Sequence, residues 1–314
     1  MDMKSRVLIV GGTGYIGKRV VKAIIALGHP TYVLFRPQVV SDIDKVQMLL
    51  SFKQLGAKLV EASLDDHERL VDVVKQVDVV ISAVSGGVVR HQILEQLKLV
   101  EAIKEAGNIK RFLPSEFGMD PDVVEHALEP GNITFIDKKK VRRAIEAANI
   151  PYTYVSANMF AGFFAGSLAQ LQDDVRMMPA RDKVLIYGDG NVKGVYVDED
   201  DVGIYIVKSI DDPRTLNKTM YIRPPKNILS QKEVVEIWER LSRLNLEKIY
   251  ISEDELLNME DKSYVEKMKR CHLYHFFIRG DLYNFEIGPN ATEATKLYPE
   301  IKYTTMDSYM KRYV

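Results

Sequence analysis

The sequence predicts a doubly wound α/β fold, a mainly parallel sheet with helices on both faces, carrying a smaller C-terminal α/β lobe. Three observations predict it. Strand-like and helix-like patterns alternate through the first half of the chain. The runs VLIV and VDVVISAV are almost continuously apolar, as strands covered on both faces require. The alternation then stops near Asn158, in a chain of 314 residues that exceeds the usual reach of one hydrophobic core.

Each element follows in order. Arg6 to Val10 reads as the first strand, and Tyr15 to Leu27 as a helix stopped by Gly28. Thr31 to Phe35 is the second strand, followed by a helix over Asp42 to Leu55 that ends at Gly56. Lys58 to Ala62 is the third strand, His67 to Gln76 a helix, and Asp78 to Val84 the fourth strand. His91 to Ala106 is a helix closed by Gly107, Arg111 to Leu113 the fifth strand, Asp137 to Asn149 a helix with Pro151 beyond it, and Tyr152 to Ser156 the sixth strand. A helix between successive strands imposes right-handed crossovers and parallel pairing.

The second half is less regular. Ala157 to Gly166, ANMFAGFFAG, is uncharged and is either a buried connection or the wall of a pocket. A turn-rich YGDGNVKG, a helix from near Ser230 and an aromatic stretch from Leu273 to Phe285 follow. Four consecutive acids, Asp198, Glu199, Asp200 and Asp201, cannot point to one centre on a helix, so they read as a helix N-terminus rather than a metal site. No metal is expected.

Composition narrows the partners. Apolar residues make up 46% and charged residues 28%, ordinary for a folded protein, and 43 basic against 44 acidic residues leave no excess that recommends nucleic acid or an anionic membrane. The one cysteine, Cys271, has no partner for an intramolecular disulfide, which fits a reducing compartment, and reads as an inert packed thiol. No run reaches membrane-spanning length, and the apolar run near the N-terminus is too short for the core of a signal peptide, so a cytoplasmic protein is expected.

Gly11-Gly12-Thr13-Gly14-Tyr15-Ile16-Gly17 stands directly after the first strand and opens the first helix, the order a dinucleotide fingerprint requires. The early glycines permit a tight turn, the middle one lets backbone approach a pyrophosphate, and the last lets the helix pack close to the sheet. Helix-start amides and the helix dipole then face the anion. An acid about 20 residues further on would select NAD by bonding its ribose. Here that place holds Arg36, whose guanidinium matches a phosphate, with Lys45 on the next helix as a second positive charge. NADPH is therefore the expected cofactor, although both residues also admit a reading as solvated surface charges. Residues 1–158 form the expected Rossmann-type NADP-binding domain, and 159–314 mainly a substrate lobe, some segments of which return to the first domain.

Hydride chemistry calls for an acid or base beside the nicotinamide. The one Tyr-x-x-x-Lys pattern, Tyr298 to Lys302, is interrupted by Pro299 and is discarded. The helix with Lys138, Lys139 and Lys140 is more informative. At about 100° per residue, Val141, Ile145 and Ala148 form a stripe, and Lys138 falls within about 20° of Ile145, whereas Lys139 and Lys140 rotate away. Burial disfavours an ammonium, and Arg142 one turn on would lower the pKa of Lys138 further. On spacing alone Lys138 is either a proton-transfer amine or the snorkelling edge of a basic face.

These residues resemble a known family. GGTGYIG, Arg36 with Lys45, KRFLPSEFG (Lys110 to Gly118), the F-x-x-K-x-x-V-R-R pattern from Phe135 to Arg143 and YTYVSANMFAGFFAG are similar to the plant reductases of phenylpropanoid metabolism. That group of atypical short-chain dehydrogenases includes pinoresinol-lariciresinol, isoflavone and phenylcoumaran benzylic ether reductases. The resemblance spans essentially the whole chain and is greatest to the pinoresinol-lariciresinol type. It implies that Lys138 is the general acid/base, that Arg142 contacts the cofactor, that His272 lines the substrate pocket, and that the protein is a homodimer. Phe160 and Phe164, with Phe163 between, stand as aromatic-substrate contacts, core packing being the alternative. The loop SGGVVRHQILEQLKL from Ser85 departs from the family in being shorter than the SGVHFR-like loop of relatives, which bears on substrate choice because that loop lies over the nicotinamide.

The implied activity is NADPH-dependent opening of lignan furan rings, pinoresinol to lariciresinol, with the second step to secoisolariciresinol left open by the sequence. Isoflavone or phenylcoumaran reduction would use the same cofactor and lysine. A non-catalytic NADP(H)-sensing regulator would keep the glycine motif but has no need of a lysine turned into the apolar stripe.

Overall fold

The computed structural model describes residues 4–86, 92–170 and 178–314. Strands β1 (Val7–Val10), β2 (Thr31–Phe35), β3 (Lys58–Glu61), β4 (Val79–Ser82) and β5 (Arg111–Leu113) form a parallel sheet in the order β3-β2-β1-β4-β5. A parallel bridge between Phe112 and Tyr152 continues it to β6 (Thr153–Ser156). Beyond β6 come Lys218–Tyr221 and then Ala291–Glu293, both parallel. The parallel α/β fold expected from the sequence is what forms.

Side-chain alternation along the strands sorts the helices onto two faces. On one face Val7, Ile9, Val33 and Ile81 pack against α1 (Gly17–Ala26), α2 (Ile43–Gln54) and the helix Glu199–Ser209. On the other, Leu8, Val10, Val80 and Phe112 pack against α3 (His67–Val74), α4 (Gln96–Ala106) and α5 (Ile133–Ala147). Every strand residue from Val7 to Val10 and from Val79 to Ser82 is buried, which explains why these strands read as unbroken apolar runs.

Segments after residue 158 contribute to the sheet and to the layer that contains α1. The helix Glu199–Ser209 lies along α1, where a Cβ on Gly203 would stand 3.1 Å from the carbonyl oxygen of Arg19. A separate core around Trp238, Tyr187 and Phe277 underlies the second lobe, whose strands Lys183–Tyr187 and Glu247–Ile251 pair in parallel. The helix Gln231–Ser242 begins with a capping box between Ser230 and Glu233.

Most boundaries differ from expectation by a residue or two, and two of the differences bear on the site. Helix α5 starts at Ile133, not Asp137, because Thr134 and Phe135 extend the buried stripe; exposed Ile136 obscures that periodicity in the sequence. Strand β4 stops at Ser82, since Ala83 and Val84 leave the sheet to meet the glycine turn. In the loop after β4, residues 87–91 lie outside the described residues, and with them His91, the expected start of α4.

Candidate functional site

The winding of the sheet reverses between β1 and β4, and a cleft of about 670 Å³ opens there at the carboxyl ends of β1, β2, β4 and β5. Its floor is the glycine turn. Gly11 has φ +82°, and a Cβ there would sit 2.5 Å from the Ala83 carbonyl oxygen, so only glycine fits. Gly14 donates to the Gly11 carbonyl at 2.9 Å. Gly11, Thr13, Gly14, Tyr15 and Ile16 line the cleft. Gly12 and Gly17 do not. A Cβ on Gly12 would lie 2.9 Å from Val33, and one on Gly17 would lie 2.1 Å from the Gly11 carbonyl oxygen, so these two serve helix-to-sheet packing instead of ligand contact. The first turn of α1 carries no acid, leaving its positive end free for an anion.

At the end of β2, Arg36 is exposed and lines the same cleft. Lys45 also lines it, but its amine is ion-paired with Asp42, which in turn caps α2 by accepting from the Lys45 amide at 3.1 Å. Part of its charge is therefore committed within the protein. The residues suit a dinucleotide carrying an extra phosphate near the second strand.

At the other end of the cleft stands Lys138, buried at 7% exposure. Burial increases along α5 as helical rotation requires: Lys140 is exposed, Lys139 half-buried and Lys138 buried on the stripe with Val141 and Ile145. The Lys138 amine donates to the Glu116 carbonyl oxygen at 2.7 Å. Burial lowers its pKa from the ordinary 10.5; Arg142 acts in the same direction, against Glu116 and Asp120. Tyr15 is the other candidate acid nearby, but its hydroxyl donates to Glu199, and burial together with that carboxylate pushes its pKa well up, holding it as a phenol.

Three more of the expected site residues lie away from the cleft wall. Arg142 is not on the cleft wall. It is 1% exposed, bonds Glu116 through two nitrogens at 3.1 and 2.8 Å, and reaches Asp120 at 2.6 Å and Asp122 at 2.9 Å, so its guanidinium is taken up by carboxylates from the loop after β5. His272 does not line the cleft either: its Nδ1 lies 2.8 Å from the Met268 carbonyl, and its ring packs between Phe135 and Phe276, although it is near enough for the Lys138 charge to act on it. Phe164 turns away, edge-on to Phe276 at 5.2 Å, within the second core. Phe160 lines the cleft together with Phe163, which stacks obliquely on Tyr15 at 4.6 Å.

Cys271 is buried, with its thiol directed at the Glu129 carbonyl and its pKa raised by burial. The acidic run opens a helix. Asp198 caps it, Glu199 bonds Tyr15, and Asp201 accepts from the Thr304 amide at 2.6 Å, so the carboxylates diverge. Tyr298 is buried, its hydroxyl donating to Asp212 at 2.9 Å.

Sequence reasoning missed the role of the turn Ser115-Glu116-Phe117-Gly118, which lies against Lys138 on the cleft wall. Phe117 has φ +38°, an unusual value for a bulky residue. The turn is held by Ser115 to Gln96 at 2.6 Å, Phe117 to Val155 at 2.9 Å and Ser156 to Gly118 at 2.9 Å. Its place after a strand was the available signal.

A model of the NmrA-like family matches residues 3–310. The bifunctional pinoresinol-lariciresinol reductase 3 of Thuja plicata is 88% identical over 314 residues, all of both chains. A crystal structure from work on pinoresinol-lariciresinol and phenylcoumaran benzylic ether reductases is 81% identical with a TM-score of 0.96, again covering both chains fully. The structure of AtPrR2 with NADP+ and (+)pinoresinol is 54% identical with a TM-score of 0.95 over both whole chains.

Proposed function

This chain belongs to the NmrA-like family, and from that premise we propose that it reduces lignans with NADPH, opening the furan ring of pinoresinol to give lariciresinol and the remaining ring to give secoisolariciresinol. It is an NADPH-dependent oxidoreductase, as its full-length similarity to bifunctional pinoresinol-lariciresinol reductases supports. The free N-terminus of α1, the Gly11–Gly14 cradle and Arg36 fit the dinucleotide and its additional phosphate. Bound there, NADPH supplies a hydride.

The observation that carries the mechanism is the buried Lys138 amine on the cleft wall, oriented by its bond to the Glu116 carbonyl. Hydride does not readily displace an ether oxygen from saturated carbon. Lys138 instead accepts the proton of a phenol para to the benzylic carbon. The phenolate expels the ring oxygen and leaves a quinone methide, whose benzylic carbon is the electrophile for hydride. Lys138 returns its proton to the departing alkoxide, and the phenolate formed on reduction takes one from solvent. Each ring opened thus consumes one NADPH and one proton.

Phe160 and its neighbour Phe163 are the aromatic contacts of the substrate in this scheme. Residues 1–158 hold the cofactor and 159–314 mainly the substrate. The protein works as a cytoplasmic homodimer, a reading that rests on the family resemblance and on the single cysteine. No described helix is long and apolar enough to cross a membrane.

The test is NADPH oxidation with racemic pinoresinol, products resolved on a chiral column, for the parent and Lys138→Ala. The parent should form lariciresinol and then secoisolariciresinol, and the variant should bind NADPH but not turn over. Reduction only of isoflavones or phenylcoumarans would move the substrate within the family. Tight NADPH binding with no reduction of any phenolic ether would make the protein a sensor.

A further inference from the structure

We infer that Glu116 and Arg142 are positioning residues for the Lys138 amine: their buried two-pronged pair fixes the carbonyl to which that amine donates and balances the charge around it. The inference rests on the reading of Lys138 as the proton-transfer group.

The geometry is specific. Glu116 offers two functions at once, its backbone oxygen to Lys138 at 2.7 Å and its carboxylate to Arg142 at 3.1 and 2.8 Å. All three side chains are less than a tenth exposed. The next residue, Phe117, sits at φ +38°, a conformation that persists only when its surroundings impose it. A planar guanidinium forked onto a carboxylate is a rigid clamp, because both bonds must break before Glu116 can rotate. Behind the clamp Arg142 also holds Asp120, which accepts from the Tyr221 hydroxyl, and the Arg142 Cζ lies over the Tyr154 ring, 4.3 Å from its centre. The carbonyl is therefore tied through Arg142 to the sixth strand and to Lys218–Tyr221 beyond it.

The same groups set the field at the amine. Glu116 and Asp120, from the loop after β5, favour its charged form. Arg142, on its own helix, and His272, from the helix Tyr264–Tyr274, face it from the other sides, and Arg142 opposes protonation. Without Arg142, two buried carboxylates would stand uncompensated near Lys138 and hold it as an ammonium.

The experiment measures kcat/KM for NADPH-dependent pinoresinol reduction against pH, with NADPH affinity and melting temperature alongside, for Glu116→Gln, Arg142→Met and Arg142→Lys. Glu116→Gln should lower kcat and move the acid limb to lower pH, and Arg142→Met should lower kcat and move it to higher pH, each by about one pH unit. Arg142→Lys keeps the charge without the fork and should lower kcat with the limb near its parent position. NADPH affinity should be nearly unchanged throughout. A merely structural role would lower melting temperature and active fraction without moving the limb. Unmoved limbs with parent-like kcat would overturn the inference, as would selective loss of NADPH affinity in Arg142→Met, which would put that guanidinium on the cofactor. If Arg142→Met does not fold, Glu116→Gln decides alone. Near-parent turnover in Lys138→Ala would instead defeat the reading of Lys138 itself.

Discussion

Replacing Arg36 by Ala tests the cofactor side of the site. Arg36 is exposed at the end of β2 and, among the described residues, no carboxylate is within ion-pair distance of it, although its charge acts on Asp65; the neighbouring Lys45 amine is paired with Asp42. A charge-assisted bond from a guanidinium to phosphate contributes about 1.5–3 kcal/mol, and the exposed setting places Arg36 toward the lower end because solvent and salt screen it. NADPH should therefore bind about 10- to 30-fold more weakly to the variant, and NADH, lacking the phosphate, about equally to both. Lys45→Ala should cost less, because Asp42 already neutralises part of that charge. Titrations of the parent and both variants with NADPH and NADH by nucleotide fluorescence, at one fixed salt concentration, measure all six affinities. Equal weakening for both nucleotides, or a larger loss from Lys45→Ala than from Arg36→Ala, would refute this division of labour.

Asp201 should make stability depend on acid in the direction opposite to most carboxylates. Burial pushes its pKa from 3.8 up to about 6, despite the Thr304 amide bonded to it. The folded protein thus binds more protons than the unfolded chain between those values, and it loses stability as pH rises through that window. The gap corresponds to roughly 3 kcal/mol at most, so Asp201→Asn, which keeps an acceptor for Thr304, should be about 1–2 kcal/mol more stable than the parent in urea unfolding at pH 7.5 and equal to it near pH 4. Equal stability at both pH values would contradict this. Phe163→Leu should raise the KM for pinoresinol with little change in melting temperature; Phe164→Leu, in the second core, should cost about 1 kcal/mol of stability and leave KM alone. The reverse pattern would return Phe164 to the substrate wall.

The first half of the fold was legible because each strand and helix carries its own period. The glycine turn was legible because its place between strand and helix fixes its job. The orientation of Lys138 was readable from rotation alone, since three adjacent lysines share one helix and differ only in angle. Arg142 was not readable in this way: its partners Glu116, Asp120 and Asp122 come from a distant loop, and nothing local to α5 reveals that they converge on it. Phe163 and Phe164 are chain neighbours whose opposite fates depend on how a single short turn, Ala161–Phe164, is tilted against the second lobe. His272 had no signal beyond resemblance, and its half-buried ring packs beside Phe135 and Phe276.

A direct titration of the Lys138 ε-carbon by NMR, in protein with isotopically labelled lysine and with the resonance assigned by its disappearance in Lys138→Arg, would measure the property on which proton transfer depends. Burial should place its midpoint below the ordinary 10.5 of lysine, moving further down when Glu116 is changed to Gln. A midpoint at or above 10.5 would mean that the amine remains an ammonium throughout the working range and cannot take the phenolic proton.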